Sequence, residues 1–167
     1  ILPCEVTPAG KKSAGIDVSC RSFVGMSAVT AVTETQHLRQ EGRFLIQKIA
    51  AMGRGGVHVG SAYFHDAIGM DAKPNRDLLE TIAVTINSLK GAWIIGTDWN
   101  CTPEELQATG CLQKVGGVVC APKAATWNVQ VKDFYVVAAS IAEAVQHVHV
   151  VSNAGFNPHS AVRLYFK

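Results

Sequence analysis

The 167-residue sequence has little charge, with only 17% Asp, Glu, Lys and Arg, and a formal net charge of +2. That balance excludes a strong electrostatic grip on nucleic acid of the kind basic binding proteins use. No apolar run reaches the roughly 18 to 20 residues that a membrane-spanning helix needs. No pair of cysteines has CxxC spacing. The five present (Cys4, Cys20, Cys101, Cys111, Cys120) are odd in number and far apart, so neither a zinc ribbon nor a disulfide scaffold is indicated. Free, buried thiols in a reducing intracellular compartment or organelle are the expectation. Repeats, low-complexity tracts and linkers are also missing. Opening on Ile1, without an initiator Met or a signal-peptide pattern, the chain is expected to be a processed product or a part of something longer.

What is abundant is apolar side chain, at 48%. Residues 1–13, with two prolines, a glycine and two lysines, read as an irregular lead-in, and residues 14–167 as one domain. Residues 14–24 read as a strand with Ile16, Val18 and Cys20 on one face. Residues 26–35, 43–52 and 57–64 read as further extended runs, with a glycine-rich hairpin turn over 53–56. Pro74 opens a helix whose stripe is Leu78, Leu79, Ile82, Ala83, Ile86 and Leu89, stopped at Gly91. A second helix from Pro103 ends at Gly110. Strands are expected at 116–121, 125–131, 132–139, 145–151 and 162–166. Many strands with two helices, one of them a crossover, fit layered sheets with helices outside.

One stretch concentrates the chemistry. The apolar run 92–96 reads as a buried strand, and Thr102-Pro103-Glu104-Glu105 as a helix start, with Thr102 as N-cap and Glu105 closing a capping box. Asp98 and Asn100 therefore stand at a strand's C-terminal end, facing the same way. A turn in which both bond their own backbone explains the spacing equally well. His147 and His149 share a strand face without a third partner and read as surface histidines. Trp93, Trp99 and Trp127 read as core or cleft-lining residues, with no support for base stacking. The 53–56 glycines join two strands instead of opening a helix, so they make no phosphate loop.

Four stretches, in order, resemble the endonuclease/exonuclease/phosphatase (DNase I-like) superfamily, which includes retroelement endonucleases. Gly60-Ser61-Ala62-Tyr63-Phe64-His65 resembles the strand that presents a Tyr or His to the scissile phosphate. Gly96-Thr97-Asp98-Trp99-Asn100 is similar to the Gly-Asp-Phe-Asn motif, with one extra residue and Trp for Phe. Lys132-Asp133-Phe134-Tyr135 resembles the Asp-Tyr strand, and Asn157-Pro158-His159-Ser160-Ala161-Val162 the terminal Ser-Asp-His-x-Pro-Val motif. The resemblance covers most of residues 14–167.

It implies an α+β fold: a partial two-sheet sandwich with flanking helices, of the four-layer αββα type, with its N-terminal strands missing. It also implies roles. Asp98 would orient or deprotonate the attacking water, and Asn100 would hold phosphate and nucleophile. His159 would donate to a phosphoryl oxygen, with Asp133 accepting from its other ring nitrogen. Tyr63 or His65 would be a further phosphate donor.

Two departures count against activity. The Glu that is the family's principal magnesium ligand has no counterpart, and Pro158 replaces the acid before the terminal His. Asp98 is then the one metal-seeking acid in the matched motifs, too little for a hard cation. The expectation is a degenerate, non-catalytic domain serving as a structural or interaction subunit. It would need no cofactor by itself, and protein partners would cover the incomplete sheet. The alternative is a Mg-dependent phosphodiester hydrolase (endonuclease) whose metal-binding half comes from another segment or chain. Nucleic acid enters as substrate through the resemblance only.

Overall fold

A computed structural model describes residues 5–6, 12–13, 16–29, 42–53, 55–152, 154 and 158–167. Strands β1 (Glu5–Val6) and β2 (Lys12–Ser13) pair with each other. The centre is a six-stranded sheet of β3 (Met26–Ala28), β4 (Phe44–Ile49), β5 (Val57–Tyr63), β6 (Trp93–Asp98), β7 (Gly117–Cys120) and β8 (Asp133–Ala138). Its order is β3-β4-β5-β6-β8-β7. Among the described strands only β5 and β6 run parallel, which requires a crossover, and helix α1 (Lys73–Ser88) supplies it. Two short helices, α2 (Pro103–Ala108) and α3 (Cys111–Val115), follow β6, and α4 (Ala139–Ala142) follows β8. The chain closes on an antiparallel hairpin of β9 (Val145–Val151) and β10 (Ala161–Phe166).

Strand alternation divides the sheet into two faces. Phe44, Ile46, Ala62, Ile95, Phe134 and Val136 point to one face. There they meet Leu78, Leu79, Ile82 and Ile86 of α1, Leu106 of α2 and Leu112 of α3 in the main core. Leu45, Val57, Ile94 and Val137 point to the other. Ile16 and Val18 cover Leu45, and Val145, Leu164 and Phe166 of the hairpin cover the rest. Tyr135 fastens that hairpin to the sheet by donating its hydroxyl to the Val162 carbonyl at 2.9 Å. Its ring packs against Gly96, where a Cβ would stand 2.6 Å from it, so a side chain at 96 would push the ring out. The architecture is α+β, with a six-stranded sheet, a smaller second sheet and flanking helices.

Several local expectations need correction. Residues 16–21 are not a strand: Ile16 and Val18 alternate inward, but only Ile16 forms a single bridge. Of 26–35 only Met26–Ala28 is a strand, and residues 30–41 lie outside those described. β4 stops at Ile49, before Met52 and Gly53 turn the chain with positive φ; Arg54 in that turn is outside the described residues. Helix α1 ends at Ser88, and Gly91 (φ 107) serves the turn into β6 instead.

Residues 125–131 form a turn closed by two reciprocal backbone bonds between Trp127 and Gln130. Its apparent alternation came from Val129, which stands 92% exposed at the tip. Helices α3 and α4 went unforeseen because five and four residues are too few to display helical periodicity. Cys20, Cys101, Cys111 and Cys120 are free thiols; Cys4 is not among the described residues.

Candidate functional site

Three neighbouring strands end in polar side chains on the second face. The registers set Tyr63 beside Asp98 and Asp98 beside Asp133. The capping box at Thr102 is present, with Glu105 N–H donating to Thr102 Oγ1 and Thr102 N–H to Glu105 Oε2. It forces the chain to turn immediately after β6. Asn100 takes positive φ (51°) in that turn. Its N–H donates to Asp98 Oδ1 at 3.0 Å, and its side-chain amide donates to the Phe64 carbonyl at 2.9 Å. The turn contact is thus present for Asp98, whose carboxylate accepts from the Asn100 N–H, while the Asn100 side chain reaches the end of β5 and not its own backbone. Trp99 anchors it from the other face, 2% exposed, stacked between Phe64 and Phe134, with its indole N–H on the Phe134 carbonyl.

Adjacent carboxylates on paired strands repel unless something lies between them. His159 does. Its Nδ1 is 2.8 Å from Asp133 Oδ2, the contact the resemblance implies, and its Nε2 is 3.7 Å from Asp98 Oδ2. All three side chains are largely covered, at 15–31% exposure. One buried hydroxyl organises the group. Thr126 Oγ1 accepts from both Lys132 N–H and Asp133 N–H at 2.9 Å, and the Thr126 carbonyl accepts from Ser160 N–H at 2.8 Å. This brings the start of β8 and the approach to β10 to the same point.

Burial is the main reason the Asp98 carboxyl is held above its ordinary value, and the charge of Asp133 adds to it. The Asn100 N–H, His159 and Lys132 pull the other way. Burial also raises the Tyr63 phenol, followed by the charge of Asp98, while Arg43 opposes. Arg43 is itself 5% exposed, its guanidinium 5.3 Å above the Tyr63 ring.

Three other histidines sit apart, the expected site residue His65 and the surface pair His147 and His149. His65 follows the end of β5, its backbone N–H and carbonyl both bonded to the buried Asn75 side chain, and it does not join the group. His147 and His149 lie on the exposed face of β9, His147 stacked on Tyr165 at 4.3 Å. Thr126, Lys132, Asn75 and Arg43 carried no recognisable sequence pattern. Each acts through a tertiary contact, and only the position of Lys132 beside Asp133 was a clue.

Asp98 is therefore not alone as a metal-seeking group. One ligand atom each from Asp98, Asp133 and His159 lie within 4.8 Å of one another, close enough to hold a metal ion. Magnesium is a poor fit to these residues by themselves. It prefers six oxygens, whereas this group offers two carboxylates and an imidazole. Asp98 Oδ1 is already engaged by Asn100 N–H, and Asp133 Oδ2 by His159.

No family model matches the chain, and no curated protein is similar to it in sequence. Solved structures are similar to it in fold. One is the endonuclease domain of TRAS1, a telomere-specific non-LTR retrotransposon (TM-score 0.68, 11% identity, covering 87% of this chain and 70% of that one). Another is the 3'-5' exonuclease NExo from Neisseria meningitidis (0.61, 15%, 86% and 70%). A third is the AP endonuclease LMAP from Leishmania major (0.61, 13%, 86% and 61%). At such identities the likeness establishes the fold, DNase I-like, and nothing finer. The chain spans 70% of the length of the TRAS1 domain and of NExo, and 61% of LMAP.

Proposed function

We propose that this chain carries the acid–base part of a phosphodiesterase cleft, and that the remainder of the site comes from another segment or another chain. The observation that carries this reading is His159, hydrogen-bonded to Asp133 on one side and facing Asp98 on the other. A merely structural turn before β10 requires no such bridge between two strand ends.

The chemistry follows from the arrangement. With its Nδ1–H donated to Asp133, the imidazole keeps one tautomer and one orientation, and Nε2 is presented to the cleft. When doubly protonated it donates to a phosphoryl oxygen, where negative charge builds in the transition state. Asp98 is raised above an ordinary carboxylate, so it is a better acceptor for a proton from water, and the Asn100 N–H fixes its direction. Tyr63, next in register, is a neutral hydroxyl donor for the same phosphate. The group attacked is a phosphodiester of nucleic acid. Any magnesium would add charge neutralisation at the phosphate and would take most of its ligands from outside this chain.

A second reading is supported by the second face of the sheet. Val59, Gly96 and Tyr135 floor a cleft walled by residues 17–19 and by the start of β10. A protein partner seated there would make the domain a structural or interaction subunit without catalysis.

Nicking of supercoiled plasmid by the longest natural form of the polypeptide separates the two. Under the phosphodiesterase reading, nicking falls at least about 100-fold in His159→Ala and in Asp98→Ala. Absence of cleavage, together with stable co-purification in a larger assembly, favours the second reading and sinks the first.

A further inference from the structure

The six-stranded sheet has an end that the candidate site does not use. β5 and β6 run parallel, so Tyr63 and Asp98 stand at one end, and Val57 and Trp93 at the other, roughly 20 Å away by strand rise. Two turns meet at that far end. Residues 21–24 form one, closed by the Val24 N–H on the Arg21 carbonyl at 2.8 Å, and lead into β3. The other joins β4 to β5 and is closed by the Gly56 N–H on the Gly53 carbonyl at 3.2 Å. They lie side by side, because the Ala50 N–H donates to the Gly25 carbonyl at 2.7 Å, next to the Met26–Ile49 pair.

The tips of both turns are apolar and open to solvent. Phe23 is 78% exposed, Met52 48%, and Met26, at the start of β3, 47%. Three of the seven large hydrophobic side chains exposed among the described residues are therefore gathered in one place. Single exposed hydrophobics are ordinary, whereas a cluster marks a contact surface. A Cβ on Gly53 or Gly55 would meet nothing within 4 Å, so the second turn stands clear of the rest of the molecule.

The charge these turns carry has one sign. Arg21 opens the first turn, and the Lys48 stem runs beside the second, where a Cβ on Gly56 would come 3.4 Å from Lys48 Cε. Both side chains are exposed, and among the described residues neither forms an ion pair. Residues 18–29 and 42–65 contain no Asp or Glu.

We infer that the two turns anchor the chain to an anionic lipid surface. Phe23, Met26 and Met52 enter the boundary between headgroups and acyl chains, and Arg21 and Lys48 remain at the headgroup phosphates. Apolar tips flanked by unpaired cations match a surface that is negative above and apolar below. A stable protein partner calls for a broad surface of about 800 Å² a side, whereas a lipid interface takes up a few projecting side chains one by one. Docked in this way, the Asp98 end of the sheet faces away from the bilayer and stays open to water.

The whole chain is sedimented with sucrose-loaded vesicles of phosphatidylcholine containing about one third phosphatidylserine, and in parallel with pure phosphatidylcholine. Partitioning onto the neutral vesicles is expected to be at least about 10-fold weaker. On the mixed vesicles, Phe23→Ser should weaken it about 10-fold, and Arg21→Gln and Lys48→Gln about fivefold each, with the charge effects screened by salt. Val129→Ser removes a still more exposed apolar residue at the Asp98 end and should change nothing. All four positions are exposed, so thermal melts should match the unmodified chain. Phe23→Trp gives a direct reading, since its added emission should shift to the blue when the mixed vesicles are supplied.

No partitioning onto the mixed vesicles, no blue shift, indifference to both cations, or an equal loss in Val129→Ser would each overturn the inference. So would a concentration-dependent dimer, or capture of a DNA duplex, that is lost in Phe23→Ser. None of these outcomes bears on plasmid nicking, which decides the phosphodiesterase reading separately.

Discussion

The two faces of the central sheet are built to different degrees of completion. On the helix face, α1, α2 and α3 seal a continuous core in which Phe64, Phe134, Ile95 and Leu106 have no exposure at all. On the other face, Ile16 and Val18 cover one end and the β9–β10 hairpin covers another. A cleft runs between them over Val59, Gly96 and Tyr135. Every polar residue of the candidate site belongs to the open face or its rim. Stability is thus concentrated on one side of a single sheet and the polar cluster of Asp98, Asp133 and His159 lies on the other. A site reached by substrate must leave its side of the sheet partly uncovered, and the helix layer is what makes that tolerable.

This contrast can be broken by mutation, and the largest effect belongs to the helix face. Trp99→Ala empties the space between Phe64 and Phe134 and leaves the Phe134 carbonyl without its donor. It should cost about 3–5 kcal/mol, lowering Tm by roughly 10 °C or more in a thermal melt. Leu164→Ala on the hairpin, where burial is partial, should cost about 1 kcal/mol. Equal losses would erase the contrast.

Next in size is Asn75→Ala. Asn75 is 1% exposed and satisfies the His65 N–H, the His65 carbonyl and the Gly69 carbonyl. Its loss should cost about 2–3 kcal/mol, read as a shift of the urea midpoint at constant m.

The smallest effect has the opposite sign. The Asp98 carboxyl is raised in the folded chain, mainly by burial, so folded protein holds that proton to higher pH than unfolded protein does. Stability therefore falls as pH rises from the ordinary carboxylate range through the raised value, and the full penalty persists above it. Asp98→Asn should raise Tm at neutral pH by roughly 1–3 °C, and the gain should vanish in acid below the ordinary range. A gain that grew towards low pH would contradict this.

The features legible in the sequence are those that local chemistry determines. The strand, turn and capped helix through Asp98 could be read because Thr102, Pro103 and Glu105 signal a helix start without any tertiary help. Helix α1 could be read from its stripe. The candidate site was recoverable as types and order (Asp98, Asn100, Asp133, His159) only through resemblance, since nothing local brings residues 98, 133 and 159 together. Their convergence depends on Thr126, a residue with no pattern around it, whose hydroxyl is occupied by two backbone N–H groups. The 125–131 segment misled for a related reason. Alternation normally reports a half-buried strand, but here the apolar Val129 sits on a turn tip held by bonds across the turn. Placing Asp133 as a second acid of the group also required tertiary information, the β6–β8 register.

Amide hydrogen exchange on the chain tests most directly whether its two faces differ as described. Amides of β6 and β8, paired on both sides and roofed by helices, should exchange only with global unfolding. Amides shared by β9 and β10, fastened to the sheet by Tyr135 and a partial apolar layer, should exchange at least about 100-fold faster through local opening. Equal protection across both sets would mean that the second face is as firmly built as the first, and would contradict the account.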